Sequence, residues 1–159
     1  MAALLQFAYS LSRSGARVEV FCFGTRLTRI TNALRDADAD AALERAALRV
    51  VDWDGGTRIG ASLQSFLRGW GKQGFVRGSV VVICSDGLER GDPDVLAAQM
   101  QRRARLASTI VWVNPLKGDP GYAPAVRGMR AALPAIDHLV AGHSLASLER
   151  LAELLRSLR

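Results

Sequence analysis

Residues 79–87 read SVVVICSDG and carry the clearest structural signal in the sequence. Its centre, 80–84, is a short run of apolar residues without polar alternation. Such a run is typical of a strand in a parallel sheet that is covered by helices on both faces. Ser85 and Asp86 follow it and mark the point where the strand ends. The stretch therefore predicts a buried strand with polar side chains at its carboxyl end.

The segments on either side alternate between helical and extended patterns. Apolar periodicity and capping residues predict helices at 1–13, 39–50, 59–70, 92–107, 126–133 and 144–158, and strands at 18–23, 27–31, 79–85, 109–113 and 136–140. This order predicts one domain over 1–159, a doubly wound, mostly parallel open α/β sheet. Ligands of such sheets bind at the carboxyl ends of the strands. Those ends carry Gly24-Thr25, Ser85-Asp86-Gly87 and Asn114-Pro115.

The composition indicates an ordinary globular protein and bears on where in the cell it is expected. The chain has 159 residues, of which 49% are hydrophobic and 23% are charged, as in ordinary globular domains. No apolar run approaches the roughly 18 residues of a membrane span, and the N-terminus lacks the pattern of a signal peptide. We therefore expect no membrane insertion and a cytoplasmic location.

The net charge of +6 raises the question of an anionic partner. The 21 lysines and arginines are scattered, and the densest cluster is Arg102, Arg103 and Arg105. We interpret that cluster as a solvated helix face and expect no nucleic-acid binding, since no aromatic platform accompanies it. Cys22 and Cys84 end apolar runs and are expected to be buried thiols.

Two short motifs indicate a family. Gly55-Gly56-Thr57 before a predicted helix and Ser85-Asp86-Gly87 after a predicted strand resemble two parts of a metal-ion-dependent adhesion site, which defines von Willebrand factor A domains. Longer stretches are similar to the CoxE-like branch of these domains: VEVFCFGTRLTRIT (18–31), DWDGGTRIGASL (52–63), VVVICSDGLERGDP (80–93), VWVNPLKGDPGY (111–122) and HSLASLERLAELL (143–155).

The resemblance implies a metal site built from oxygen ligands. It assigns the Thr57 hydroxyl and the Asp86 carboxylate to Mg²⁺ or Mn²⁺, and oxygen is the ligand that these cations prefer. The glycines at 55–56 let the loop backbone approach the site closely. Arg58 and Arg90 flank it, and both are candidates to pair with acidic residues of a partner protein.

The sequence departs from the family pattern at one place. The family's first metal motif, Asp-x-Ser-x-Ser, does not occur in the chain. By this comparison the chain begins within the family's first helix, and the strand that lies between 18–23 and 80–84 in the family is missing. We therefore interpret the domain as N-terminally incomplete and expect weak or absent metal binding by this chain.

The function implied by the resemblance is protein binding rather than catalysis. Relatives of this type are accessory proteins of a MoxR-type AAA+ ATPase, and they serve the maturation of metalloenzymes such as carbon monoxide dehydrogenase. The partner is expected to supply an acidic residue to the metal ion. These expectations come from the resemblance and not from composition or spacing.

Two enzyme-like alternatives remain open. Residues 84–90 fit C-x₅-R, the phosphate loop of cysteine phosphatases, although Asp86 and Glu89 would place negative charge inside that loop. A nucleotide-binding α/β domain is the second alternative. It would need a glycine-rich loop that opens a helix directly after a strand, and no such loop is predicted here.

Overall fold

The computed structural model describes residues 2–50 and 56–159. The chain divides into two compact units, Met1–Arg58 and Ile59–Arg159. The expectation of a single domain over 1–159 therefore stays a prediction, and the two units are described separately.

The first unit consists of two helices and an antiparallel hairpin. The helices are α1 (Ala2–Ser12) and α2 (Ala39–Arg49), and the hairpin joins β1 (Phe21–Phe23) to β2 (Leu27–Arg29). The strand predicted at 18–23 is shorter than expected, yet the pairing extends beyond it through the bond of the Ile30 N–H to the carbonyl of Val20 at 2.9 Å. A small apolar core holds the unit together: Tyr9, Ile30, Ala33, Leu34, Ala42 and Ala46.

The second unit contains a parallel three-stranded sheet. Its strands are β3 (Val80–Cys84), β4 (Thr109–Asn114) and β5 (His138–Ala141), in the order β3-β4-β5. The central strand is almost wholly buried, as the unbroken apolar sequence predicts. The prediction of a mostly parallel α/β fold is confirmed.

Helices connect and flank these strands. They are α3 (Ile59–Gly69), α4 (Pro93–Leu106), α5 (Arg127–Ala132) and α6 (Leu145–Ser157). Asp92 caps α4 by accepting the Asp94 N–H, and Ser144 caps α6 through a capping box with Ser147. Helix α4 packs between α3 and α5, and α6 packs on β5. Across the described residues, no helix is long and apolar enough to cross a membrane.

The interpretation of the arginine cluster was wrong for Arg103, which is only 1% exposed. The buried residues of α4 are Leu96, Gln99, Met100 and Arg103. Their helical spacing places Arg103 on the stripe that faces α3. Its guanidinium donates to the carbonyl of Leu63 at 3.1 Å and lies 4.9 Å from the centre of the Phe66 ring.

The cysteines are also less enclosed than expected. Cys22 and Cys84 are both half-buried. Burial nevertheless raises the pKa of the Cys22 thiol to about 11. The thiol is therefore protonated at neutral pH and unreactive as a nucleophile.

Candidate functional site

The polar residues predicted at the carboxyl end of β3 lie on a loop at one edge of the parallel sheet. Because β3, β4 and β5 are parallel, the segments that follow them, 85–92, 115–126 and 142–144, leave the sheet at the same edge. Asp86 and Arg90 lie on the first of these segments. This edge is where an open α/β sheet binds its ligands.

Asp86 is the second residue after the end of β3 and is half-buried. Its Oδ1 atom accepts the backbone N–H of Leu88 at 3.0 Å, so the residue forms a local turn. Among the described residues, no donor bonds to Oδ2. The turn fixes the carboxylate in one orientation and leaves one oxygen available to a cation.

The loop of Asp86 is braced by β4. The side-chain amide of Asn114 donates to the carbonyl of Asp86 at 3.3 Å and to the hydroxyl of Tyr122 at 3.0 Å. The indole N–H of Trp112 donates to the carbonyl of Ser85 at 2.9 Å. Burial raises the pKa of Tyr122, an effect that the hydrogen bond from Asn114 partly offsets. Tyr122 therefore stays protonated at neutral pH.

Close packing against α5 fixes the same loop from a second side. Gly87 has a left-handed backbone with φ +82°, and a side chain there would collide with Met129. A side chain at Gly128 would collide with the carbonyl of Gly87. Only glycine fits at both positions, so the loop that carries Asp86 has little freedom to move.

Glu89 is the residue that sequence reasoning missed. Its buried carboxylate accepts the N–H groups of Ile59 at 3.1 Å, Gly60 at 2.7 Å and Gly91 at 2.8 Å. It thereby caps the first turn of α3 from the loop after β3, and the positive end of the helix dipole favours its charge. Two of its three partners, Ile59 and Gly60, lie about thirty positions away in sequence, so no local pattern could have found the contact with α3.

The other predicted site residues precede α3. Gly56 has φ +79°, Thr57 is half-buried and Arg58 is exposed, with its backbone N–H bonded to the carbonyl of Gly24 at 3.2 Å. Gly55 lies outside the described residues. These residues belong to the first compact unit, whereas Asp86 and Arg90 belong to the second.

A groove opens beside Asp86. It has a volume of about 560 Å³ and is lined by Asp86, Leu116, Asp119, Pro120, Gly121, Tyr122, Ala123 and Val126. Its walls combine two carboxylates with apolar side chains.

The oxygen ligands among the predicted site residues are of the type that suits a hard divalent cation, but they are few. The Asp86 carboxylate and the Thr57 hydroxyl are oxygen ligands of the kind that Mg²⁺ accepts. In the described part of the chain, no three His, Cys, Asp or Glu residues are grouped so that they could hold a metal ion. A cation at Asp86 would therefore need further ligands, from water or from a partner.

The hydrogen bonds of the loop disfavour the phosphatase alternative. A phosphate loop presents free backbone N–H groups to the anion. Here the N–H groups of Gly87, Leu88 and Gly91 are bonded to the side chains of Ser85, Asp86 and Glu89. These backbone N–H groups are thus already hydrogen-bonded within the loop, and the carboxylates of Asp86 and Glu89 place negative charge beside them.

The nucleotide-binding alternative is disfavoured by the place of the glycine-rich stretch in the fold. The spacing Gly-x-Gly-x-x-Gly does occur at 69–74, as GWGKQG. This stretch begins at the last residue of α3 and continues into a short 3₁₀ helix, Gly71–Gln73. A dinucleotide loop would instead join a strand to the start of a helix.

The sequence matches a family described as VWA domain containing CoxE-like protein over residues 1–148. This chain belongs to that CoxE-like family of von Willebrand factor A domains. The resemblance stated from the motifs is thereby confirmed. Among curated proteins, no sequence matches the chain significantly.

Solved structures of proximal thread matrix protein 1 from the mussel byssus share the fold. One has a TM-score of 0.60 at 16% identity, and another, in which zinc occupies the MIDAS motif, has a TM-score of 0.61 at 15% identity. They cover 98% of this chain, which spans about two fifths of their length. The likeness confirms the von Willebrand factor A type of fold.

Proposed function

We propose that this CoxE-like chain is a protein-binding module that holds its partner through a divalent metal ion, Mg²⁺ or Mn²⁺. Asp86 supplies a carboxylate ligand and Thr57 a hydroxyl ligand, as the family resemblance implies. The observation that carries the proposal is the fixed carboxylate of Asp86 at the carboxyl edge of the parallel sheet, with one oxygen bonded to Leu88 and the other directed to no described donor.

The partner contributes the remaining ligand. A carboxylate of the partner completes the coordination of the ion, and Arg58 and Arg90 pair with further acidic residues around it. Both arginines are exposed, and neither forms an ion pair with a described residue. Gly55 and Gly56 allow the loop backbone to approach the partner closely.

The proposed role is binding and not catalysis. The carboxylate of Glu89 is occupied by three backbone N–H groups and is not available as a general base. The phenol of Tyr122 is held protonated, as described above. The edge therefore offers a ligand for a cation and a surface for a protein.

The partner class follows from the family. We propose a MoxR-type AAA+ ATPase as the partner, and the maturation of a metalloenzyme related to carbon monoxide dehydrogenase as the process, in the cytoplasm. The support for these assignments is the membership of the chain in the CoxE-like family.

A binding experiment with matched variants tests the proposal. A purified MoxR-type ATPase from the same organism is titrated by calorimetry with the chain, in Mg²⁺ and in EDTA. We expect binding in Mg²⁺ that is lost in EDTA and in Asp86→Asn. Asp119→Asn removes the same charge from the same groove and is expected to retain binding.

Two results would contradict the proposal. Undiminished binding in EDTA would indicate an ordinary interface without a metal bridge. Equal losses in Asp86→Asn and Asp119→Asn would show that only the local charge matters, and that Asp86 is not a ligand.

A further inference from the structure

The amino edge of the parallel sheet, where its strands begin, carries an excess of exposed positive charge. Helices α3 and α4 end on this side, and the connections 70–79 and 107–108 lead from them into β3 and β4. Four arginines are exposed here, and we call them the basic edge: Arg68, Arg77, Arg102 and Arg105. The sequence has no acidic residue at 66–79 or at 99–110.

A backbone hydrogen bond joins the connection before β3 to the end of α4. The N–H of Gly78 donates to the carbonyl of Leu106 at 2.8 Å. Arg77 and Arg105 are the residues directly before these two. Two exposed guanidinium groups are therefore carried by neighbouring segments of backbone, although they lie far apart in sequence.

Helices α3 and α4 pack side by side and run in the same direction. In their first turns, Gly60 lies against the backbone of Leu96. Nearer to their ends, the guanidinium of Arg103 lies over the ring of Phe66. The last turn of α3, which carries Arg68, therefore ends beside the last turn of α4.

The helix dipoles account for only part of this charge. Arg68 and Arg105 lie in the last turns of α3 and α4, where the negative end of the dipole favours a cation. Arg77 lies in a connection, and Arg102 lies before the last turn of α4. None of the four forms an ion pair with a described residue. The basic edge thus keeps positive charge that the described part of the chain does not neutralise.

The acidic residues lie mainly at the other edge. The segments 85–92 and 115–126, which leave the sheet, carry Asp86, Glu89, Asp92 and Asp119 against Arg90 and Lys117. The amino edge contains Asp137, directly before β5, and its carboxylate accepts the N–H of Ile110 at 2.7 Å. The six residues of β4 separate the two edges by about 20 Å. This separation exceeds the screening length of about 8–10 Å at ordinary ionic strength, so the two sets of charges do not neutralise each other.

We propose that the basic edge docks an acidic protein segment, a run of Asp and Glu side chains, and is a second binding surface of this chain. Guanidinium groups suit such a segment because their planar array of N–H donors pairs with carboxylates. The contact needs no metal ion, so the inference does not rest on the proposed function. Since the two edges lie at opposite ends of the strands, both surfaces can be occupied at once.

Nucleic acid and an anionic membrane are the other polyanions that exposed arginines suit. Single-stranded nucleic acid stacks on exposed aromatic rings, whereas Trp70 and Phe75 are half-buried and stack on each other at 5.9 Å. Membrane-surface segments combine basic with exposed apolar side chains. The large hydrophobic side chains that the described part of the chain exposes lie outside 66–79 and 99–110. The observations therefore favour a protein.

Short labelled peptides serve as probes of the basic edge. One alternates Asp and Glu, and a neutral control of the same length alternates Asn and Gln. Each is titrated with the full chain, and fluorescence anisotropy is followed at low and at physiological ionic strength. We expect the acidic peptide to bind, more weakly at the higher ionic strength, and the neutral peptide not to bind. Binding should be unchanged in EDTA and in Asp86→Asn.

Two double variants with the same change in charge locate the surface. Arg77→Gln with Arg105→Gln is expected to lower the affinity for the acidic peptide about three- to tenfold, because two ion pairs are lost. Arg127→Gln with Arg150→Gln changes exposed residues of α5 and α6, outside the basic edge, and should have little effect. All four side chains are exposed, so both variants are expected to fold.

Equal losses in the two double variants would show that only the net charge matters and would overturn the docking surface. Failure of the acidic peptide to bind would overturn it as well. An oligothymidine and phosphatidylserine vesicles are compared with the peptide. Tighter binding of either one that is lost in Arg77→Gln with Arg105→Gln would assign the surface to that polyanion and overturn the protein assignment. None of these results depends on a metal ion, so each would leave the proposed metal bridge at Asp86 standing.

Discussion

The carboxylate of Glu89 accepts the backbone N–H of Gly60 at 2.7 Å and so joins the loop after β3 to the first turn of α3. Both residues are buried, and a second bond from Ile59 strengthens the connection. A charged acceptor at a helix N-terminus satisfies donors that the helix itself cannot. This contact holds the loop of Asp86 and the start of α3 in one fixed arrangement.

Glu89→Gln is expected to lower the free energy of unfolding by about 1–3 kcal/mol, because it removes the charge and turns one acceptor into a donor. Urea denaturation measures the difference. Glu149→Gln makes the same change at an exposed position of α6 and is expected to have little effect. Equal midpoints for Glu89→Gln and the unmodified chain would show that the buried contact does not stabilise the fold.

Gly60→Ala tests the close approach of α3 and α4. A β-carbon at Gly60 would lie 2.7 Å from the backbone nitrogen of Leu96, so the helices must separate. We expect a loss of about 1–3 kcal/mol from overpacking. Gly69, at the other end of α3, has open space around it, and Gly69→Ala should be neutral or stabilising. Similar effects of the two substitutions on thermal unfolding would contradict the observed packing.

Arg103→Met is expected to stabilise the protein at pH 7 by about 1–3 kcal/mol. The guanidinium is buried, and its Nη1 atom has no partner among the described residues. Methionine keeps the apolar stem and removes the desolvated charge. Arg102→Met, at the exposed neighbour, is the control and should change little. A clear loss of stability in Arg103→Met would show that the charge is compensated.

The same residue gives a pH dependence. Burial lowers the pKa of Arg103 to about 10 in the folded state, below its ordinary value in the unfolded chain. Below about pH 10 the side chain is charged in both states, so the gain in Arg103→Met is constant. Above about pH 10 Arg103 loses its proton in the folded state while it is still charged in the unfolded chain. The free-energy cost of burying a charged guanidinium in the unmodified protein therefore decreases. The difference between the two proteins should therefore narrow as pH rises through 10.

Local patterns predicted the elements of the fold well. The unbroken apolar run of β3, the Asp92-Pro93 start of α4 and the Ser144 cap of α6 each lie in a few adjacent residues, and the structure has them where expected. The carboxyl-edge position of Asp86 followed from the parallel strands. These features could be predicted because their causes are local in sequence.

Contacts between distant segments could not be predicted in this way. Glu89 was taken for an unfavourable charge in a loop, because its partners at the start of α3 are far away in sequence. Arg103 was taken for a surface residue because its neighbours are basic, although its spacing from Leu96 and Met100 places it on the buried stripe of α4. The interpretation relied on the charge of the neighbouring residues, whereas the helical spacing of the apolar residues would have predicted the burial of Arg103 correctly.

Paramagnetic broadening by Mn²⁺ tests the central claim, that Asp86 is a metal ligand, most directly. It detects weak sites, and weak binding is what a small number of protein ligands predicts. In ¹⁵N NMR spectra, small additions of Mn²⁺ should broaden the amides around Asp86 first, and this selectivity should disappear in Asp86→Asn but persist in Asp119→Asn. Broadening that is spread over all exposed carboxylates, or that survives unchanged in Asp86→Asn, would contradict the claim.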